Sequence, residues 1–208
     1  MDKSFLHQRN LHSTAYISLV LILFSFPGLL SAYEFRASPL VSVVSGKELS
    51  SSAIGYGFSA GYGRRIIPGV GYLIEGGYAN SGYEADSSFS HTWVDWRLEW
   101  ALLPSLKWLS PYIGASVGVY RYEQKAGNKT AIAPATGEEK KGNCFGLGGV
   151  VGANVNLLPL IDLFAEVKAR RLFSKDAEKF GQTDEDEWLI TAGLGVRLSL
   201  SLFNNSWR

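Results

Sequence analysis

An eight-stranded antiparallel β-barrel that crosses a membrane is the all-β fold this sequence predicts, on three observations. Apolar and polar residues alternate with a period of two in eight segments, polar loops and proline-bearing turns separate those segments in alternation, and glycine gathers on the polar faces. The chain has 208 residues, of which 46% are hydrophobic and only 19% charged, with 23 Gly and 27 aromatic residues. That content suits tight β packing with many turns and excludes global disorder. Its 20 Lys+Arg stand against 19 Asp+Glu, a balance that excludes a basic nucleic-acid binder. The single cysteine, Cys144, excludes an internal disulfide framework and a Cys-rich zinc site.

Residues 1–32 differ from the rest. Lys3 and Arg9 lie in a polar start, Leu19–Phe24 is unbroken apolar sequence, and Ser31-Ala32 offers a small-residue cleavage site before Tyr33. This is the three-part layout of a secretory signal peptide. The apolar stretch is shorter than the roughly 20 residues a membrane helix needs, and Pro27-Gly28 interrupts it. Removal of 1–32 leaves 18 positive and 18 negative groups in a 33–208 barrel domain.

The strands follow in order. Glu34–Val44 sets Phe35, Val41 and Val43 against Glu34, Arg36 and Ser42, with Pro39 expected to break its ladder. Ala53–Ile66 sets Ile54, Tyr56, Phe58, Ala60 and Tyr62 against four glycines and Ser59, and Val70–Asn80 sets Val70, Tyr72, Ile74 and Tyr78 against Gly71, Glu75 and Gly77. His91–Leu102 is the clearest: Val94, Trp96, Leu98 and Trp100 on one face, Asp95, Arg97 and Glu99 on the other. Tyr112–Glu123 and Cys144–Leu157 alternate apolar residues with glycine. Ile161–Arg171 sets Leu163, Ala165 and Val167 against Asp162, Glu166, Lys168 and Arg170, and Trp188–Leu202 places a long apolar face against Thr191, Gly193, Gly195 and Arg197. Polar loops are expected at 45–52, 81–90, 124–142 and 173–187, and shorter turns holding Pro68, Pro104 and Pro159 at the other rim.

Thirteen glycines lie on the polar faces. On a water-facing surface so much glycine only weakens strands. Inside an eight-stranded barrel, where side chains fill the lumen, it makes room for long inward residues. The polar faces also balance: Arg36, Arg65, Arg97, Lys168, Arg170 and Arg197 against Glu34, Glu75, Asp95, Glu99, Asp162 and Glu166. An internal ion-pair network is the expectation, with the apolar faces toward lipid. Tyr56, Tyr78, Phe145 and Trp188 near the loop ends, and Tyr62, Tyr72, Trp100 and Trp108 near the turn ends, fit two aromatic belts.

Three pieces then carry a resemblance: Pro-Tyr-Ile-Gly-Ala-Ser-Val-Gly-Val-Tyr at 111–120, Asp-Leu-Phe-Ala-Glu at 162–166 and Ala-Gly-Leu-Gly-Val-Arg-Leu at 192–198. With the alternation across 33–208, they resemble the small eight-stranded outer-membrane barrel proteins of Gram-negative bacteria, the group holding the OmpA membrane domain and the OmpX-type surface proteins. The resemblance implies an outer-membrane location and a structural, adhesive or small-pore role. The chain departs from the group at its end, where Phe203 is out of phase with the apolar face and Asn-Asn-Ser-Trp-Arg follows.

Some barrels of this size modify lipids, so the residues are weighed for catalysis. His91 is the histidine that remains after signal removal, with Asp86, Ser87, Ser88 and Ser90 nearby. Asp95 lies four residues along an extended strand, roughly 13 Å away and too far for a triad contact. The His-x-Ser pattern of a lipid A deacylase is absent, since Thr92 and Trp93 follow His91, and 45–52 has no histidine of the palmitoyltransferase kind. His91 is read as a rim histidine, Asp184–Glu187 as a solvated acidic loop and Lys125, Lys129, Lys140 and Lys141 as loop charges facing lipopolysaccharide. No catalytic residue, cofactor or metal is expected. The expected function is structural or surface-interactive through the loops, as a monomer in contact with outer-membrane lipid, lipopolysaccharide and a ligand outside. A narrow passive pore is the alternative, and a lipid A-modifying enzyme the third.

Overall fold

The computed structural model describes residues 32–45, 53–83, 87–103, 108–127, 129–133, 137–173 and 187–201. The export segment, the first loop, most of the fourth, and Phe203 with the residues after it lie outside these. The elements are β1 (Ala32–Ser45), β2 (Ala53–Ile67), β3 (Val70–Tyr83), β4 (Ser87–Ala101), β5 (Leu109–Ala126), β6 (Lys129–Thr130), β7 (Lys141–Leu158), β8 (Ile161–Phe173) and β9 (Glu187–Ser201). Eight long strands pair antiparallel in the order β4-β3-β2-β1-β9-β8-β7-β5, and pairing of β4 with β5 closes the ring. The two-residue β6 pairs only with the far end of β5.

Two of the turns sit where Pro68 and Pro159 place them, and Pro104 lies outside the described residues. Pro68-Gly69 reverses β2 into β3, and Gly69 takes φ 80°, a value that costs glycine nothing and most residues a good deal. The second loop corrects the expectation of 81–90. β3 and β4 stay paired from Val70↔Trp100 out to Tyr83↔Ser87. Likewise β5 and β7 run into the expected 124–142 loop, reaching Ala126 and Lys141. Polar side chains mark where the apolar wall ends, whereas the ladder is made by backbone groups and continues beyond it.

Pro39 interrupts one ladder only. Toward β2 the register runs through Pro39↔Phe58 without a break. Toward β9 it passes from Ala37↔Val196 to Leu40↔Gly193, and Ser38 and Pro39 have no register partner. Proline has no N–H to give, and the Ser38 hydroxyl turns to the Pro39 carbonyl, 2.6 Å away.

Facing follows the alternation. Along β4 the odd positions His91, Trp93, Asp95, Arg97 and Glu99 are buried, while Thr92, Val94, Trp96 and Trp100 are exposed. The pattern recurs in every long strand, and Leu194 at 71% and Ile54 at 68% exposure show how open the apolar wall is. A continuous apolar exterior around a charged interior inverts the arrangement of a water-soluble barrel and matches a wall that faces lipid.

Glycine accommodates the largest inward side chains. Gly77 pairs with Trp93 across the β3–β4 ladder, and a Cβ there would lie within the indole ring. Gly152 stands in the same relation to Tyr112, and Gly195 to Phe164. Gly77→Val is expected to destabilise the folded barrel by about 1–3 kcal/mol through overpacking. Urea titration in micelles, followed by tryptophan fluorescence, checks this; an unchanged midpoint would show that Trp93 can move aside.

Candidate functional site in the barrel interior

The interior has two halves. Toward the turns it is ionic. Arg36 from β1 donates from both terminal nitrogens to the two oxygens of Glu99 on β4, at 2.9 and 2.6 Å, and to Glu34 at 2.8 Å. Its guanidinium lies 5.2 Å from the Tyr112 ring centre and 5.6 Å from that of Phe164. Arg197 on β9 pairs with Asp162, its neighbour across the ladder, and lies 3.6 Å from Glu34.

At mid-height the pairs cross the lumen. Lys168 on β8 donates to both oxygens of Glu75 on β3, at 2.5 and 2.7 Å. Those strands stand opposite each other in the ring. Lys168 also pairs with Glu166 at 2.7 Å. Arg97 on β4 reaches Glu99 at 2.8 Å, Glu166 at 3.1 Å and Glu75 at 3.7 Å. Tyr112 donates its hydroxyl to Glu166 at 2.8 Å. Arg170 donates to Asp95 at 2.8 Å, Thr191 at 3.0 Å and Glu75 at 3.2 Å, and lies 4.9 Å from the Trp93 ring. The Tyr120 hydroxyl donates to Asp95 as well.

Toward the loops the interior is apolar. Leu40, Val44, Ala79, Trp93, Tyr120, Cys144, Leu172 and Leu189 form one buried cluster, with Tyr122 packed against it. Ser42 and Ser81 share a 2.9 Å hydrogen bond within this half. Period-two alternation placed Trp93 and Tyr120 on the polar faces without revealing that they would join into a plug. The signal was there: Leu40 and Val44 share parity with Arg36, and Leu172 with Arg170. Both hold for one physical reason, since parity sets which way a side chain points and not its polarity.

The residues read as the inward charge set fall as follows. Arg36, Glu75, Asp95, Arg97, Glu99, Glu166, Lys168, Arg170 and Arg197 are all buried and brought together. Glu34 and Asp162 join them. Arg65 stands at the edge of the set: its side chain is exposed, but its charge acts on Glu34 and Asp162. The β2–β3 register shifts between Arg65 and Ile67, and Arg65 is exposed at the turn-side end. Among the described residues the buried network therefore holds five cations and six carboxylates.

His91 is likewise not a rim residue. It sits in the ladder opposite Ala79 and Tyr122, fully enclosed, with Nε2 3.7 Å from a Glu187 oxygen. Neither ring nitrogen makes a hydrogen bond. Ser90 donates to the Glu123 carbonyl at 3.4 Å, and Asp95 is committed to Arg170 and Tyr120. Nucleophilic chemistry needs hydrogen-bonded nucleophile, base and orienting acid, and these residues are not in that contact. Among the described residues no group of three His, Cys, Asp or Glu is placed to hold a metal ion.

No family model matches the sequence, and no curated protein matches it. Solved structures do match. Neisserial surface protein A is 17% identical, over 81% of this chain and 99% of that one, with a TM-score of 0.61. A major outer membrane protein from Thermus thermophilus is 14% identical over 83% and 100%, with a TM-score of 0.53. Ail, the attachment invasion locus protein of Yersinia pestis, is 15% identical over 82% and 100%, with a TM-score of 0.52. At these identities the likeness is one of fold. With its closed ring, apolar wall and charged interior, the chain has the fold of the small eight-stranded barrel proteins of the bacterial outer membrane, the group its sequence resembles.

Proposed function

We propose that the protein, once its 1–32 export signal is removed, is a monomeric outer-membrane barrel. Its role is structural or surface-interactive and is carried by its loops. The observation that supports this best is the filled interior. Ion pairs bridge opposite walls at mid-height, and an apolar plug occupies the loop-side half. Passage of a solute would require both to be displaced, and unpaired buried charge is costly. What is left for contact with partners lies outside the lumen. The β5–β7 excursion, with β6 and the Ile132↔Glu139 bridge, is the most built of the loops described. It carries Lys125, Lys129, Lys140 and Lys141 against Glu123, Glu138 and Glu139. Ail has been crystallised with the heparin analogue sucrose octasulfate, and a sulfated polysaccharide is accordingly the first class of loop partner to test here.

The deciding experiment is conductance. Folded wild-type protein in planar bilayers is expected to show no steady current. A stable, large conductance from the folded monomer would overturn this reading in favour of the narrow pore.

A further inference from the structure

His91 is a buried titratable group outside the ion network. It faces inward on β4, one step closer to the loops than Trp93 and between Ala79 on β3 and Tyr122 on β5, and none of its surface is exposed. Among the described residues neither ring nitrogen has a hydrogen-bond partner. A neutral imidazole carries one donor and one acceptor, and leaving both unmet in a buried place is costly. The group that approaches it comes from the far wall. Glu187 opens β9, which stands opposite β4 in the ring, and its carboxylate lies 3.7 Å from Nε2 with the side chain 29% exposed. The next inward residues along the two strands are Trp93 and Leu189, both members of the apolar plug. The contact between His91 and Glu187 thus spans the mouth just above the plug.

The other titratable and charged groups of this half come from four strands. Tyr120 and Tyr122 stand on β5 and Cys144 on β7. Asp95 and Arg170 are paired with each other and lie against Tyr120 and Trp93, on the turn side of the plug. Lys140, whose carbonyl accepts from the Gln124 amide, stands one step further out. At this height β1, β2 and β3 offer inward serines, glycines and apolar residues. Asp184, Glu185 and Asp186 precede Glu187 in the sequence and lie outside the described residues.

We propose that His91 and Glu187 form a latch across the loop-side mouth that closes when the imidazole takes up a proton. The inference goes beyond the loop-borne role and does not depend on which partner the loops meet. Histidine is the side chain that ordinarily changes charge between about pH 5 and 8. Protonated, the ring has a donor at each nitrogen, and Nε2 gains a charged acceptor within reach of a small side-chain adjustment. In the partly dry mouth that attraction is stronger than in water. The fourth loop leaves β8 after Phe173 and returns at Glu187, so holding Glu187 against β4 holds the return of the loop. The sign follows from the partner. The carboxylate favours the imidazolium in the folded barrel, so closure is present below the histidine range and lost as pH rises through it. It is lost again where carboxylates take up protons, which leaves a window of about pH 5–6. The fourth loop is thereby presented differently to acidic and to neutral surroundings.

The test uses folded, untagged full-length protein in micelles, with His7→Gln and His12→Gln so that His91 is the single histidine. Its ring signals are followed by NMR from about pH 4.5 to 8.5. One titrating ring is expected, and Glu187→Gln is expected to weaken its proton binding about tenfold, the effect of removing one nearby opposite charge. Hydrogen exchange reads the closure. Protection of the amides of residues 188–190, corrected for the pH dependence of intrinsic exchange, is expected to be on the order of tenfold higher at about pH 5.5 than at about pH 8. That gain should be absent from Glu187→Gln and from His91→Gln. A ring that does not titrate, a titration that Glu187→Gln leaves in place, or protection that is unchanged or falls in acid would each overturn the latch. Heat-modifiable gel mobility scores the folding of each variant. If His91→Gln does not fold, Glu187→Gln, which alters a partly exposed side chain, decides alone.

Discussion

Arg97→Ala is expected to lower the stability of the barrel by about 3–5 kcal/mol, the loss typical when one partner of a buried ion cluster is removed. Arg97 touches Glu75, Glu99 and Glu166, three of the six buried carboxylates. Without it four cations remain to face them. Each carboxylate was desolvated on folding, and the low-dielectric interior magnifies their mutual repulsion. Urea titration of the variant in micelles measures the loss. The cycle that isolates the cause adds Glu166→Gln: the double variant should lose less than the sum of the singles, because the amide removes one stranded charge. Strict additivity, or a loss for Arg97→Ala under about 1 kcal/mol, would mean that water rather than Arg97 neutralises those groups.

The outer wall should respond to charge just as sharply. Leu98 is the middle of the outward run Val94, Trp96, Leu98, Trp100, Leu102 on β4 and its end, so it lies near the centre of the apolar band. Leu98→Arg is expected to cost about 2–4 kcal/mol in lipid vesicles, while Ser88→Arg near the loop end should cost about 0–1 kcal/mol. The comparison is made by equilibrium folding into vesicles. Equal tolerance at both positions would mean that Leu98 does not face hydrocarbon.

These two neighbouring residues show what could be read from sequence. Arg97 and Leu98 differ by one position, and period-two alternation assigned them to opposite faces because a strand turns each successive side chain over. The ring of eight, its antiparallel order and the positions of the turns at Pro68 and Pro159 followed from the same rule. Strand length did not follow, because Ser87, Ser88 and Ser90 look like loop and yet pair in β4. Nor did the plug: Leu40, Val44, Leu172 and Leu189 are apolar residues on an otherwise polar face, and only closure of the ring brings their strands together around Trp93. Arg65 kept the right parity, paired with Gly71, and is exposed because its strand ends there at the turn-side rim.

The interrupted ladder at Pro39 bears on the order of assembly. Every other long pairing joins strands consecutive in the ring's chain order and can form as a local hairpin. The β1–β9 ladder alone joins the two ends of the barrel, from Ala32↔Ser201 to Ser45↔Trp188. Its closure entropy is the largest in the molecule and its contacts the most distant. It is also the ladder that lacks rungs at Ser38 and Pro39. Closure therefore comes last and over the least complete seam, and until β9 has been made the growing sheet carries two open edges that need shelter from other chains.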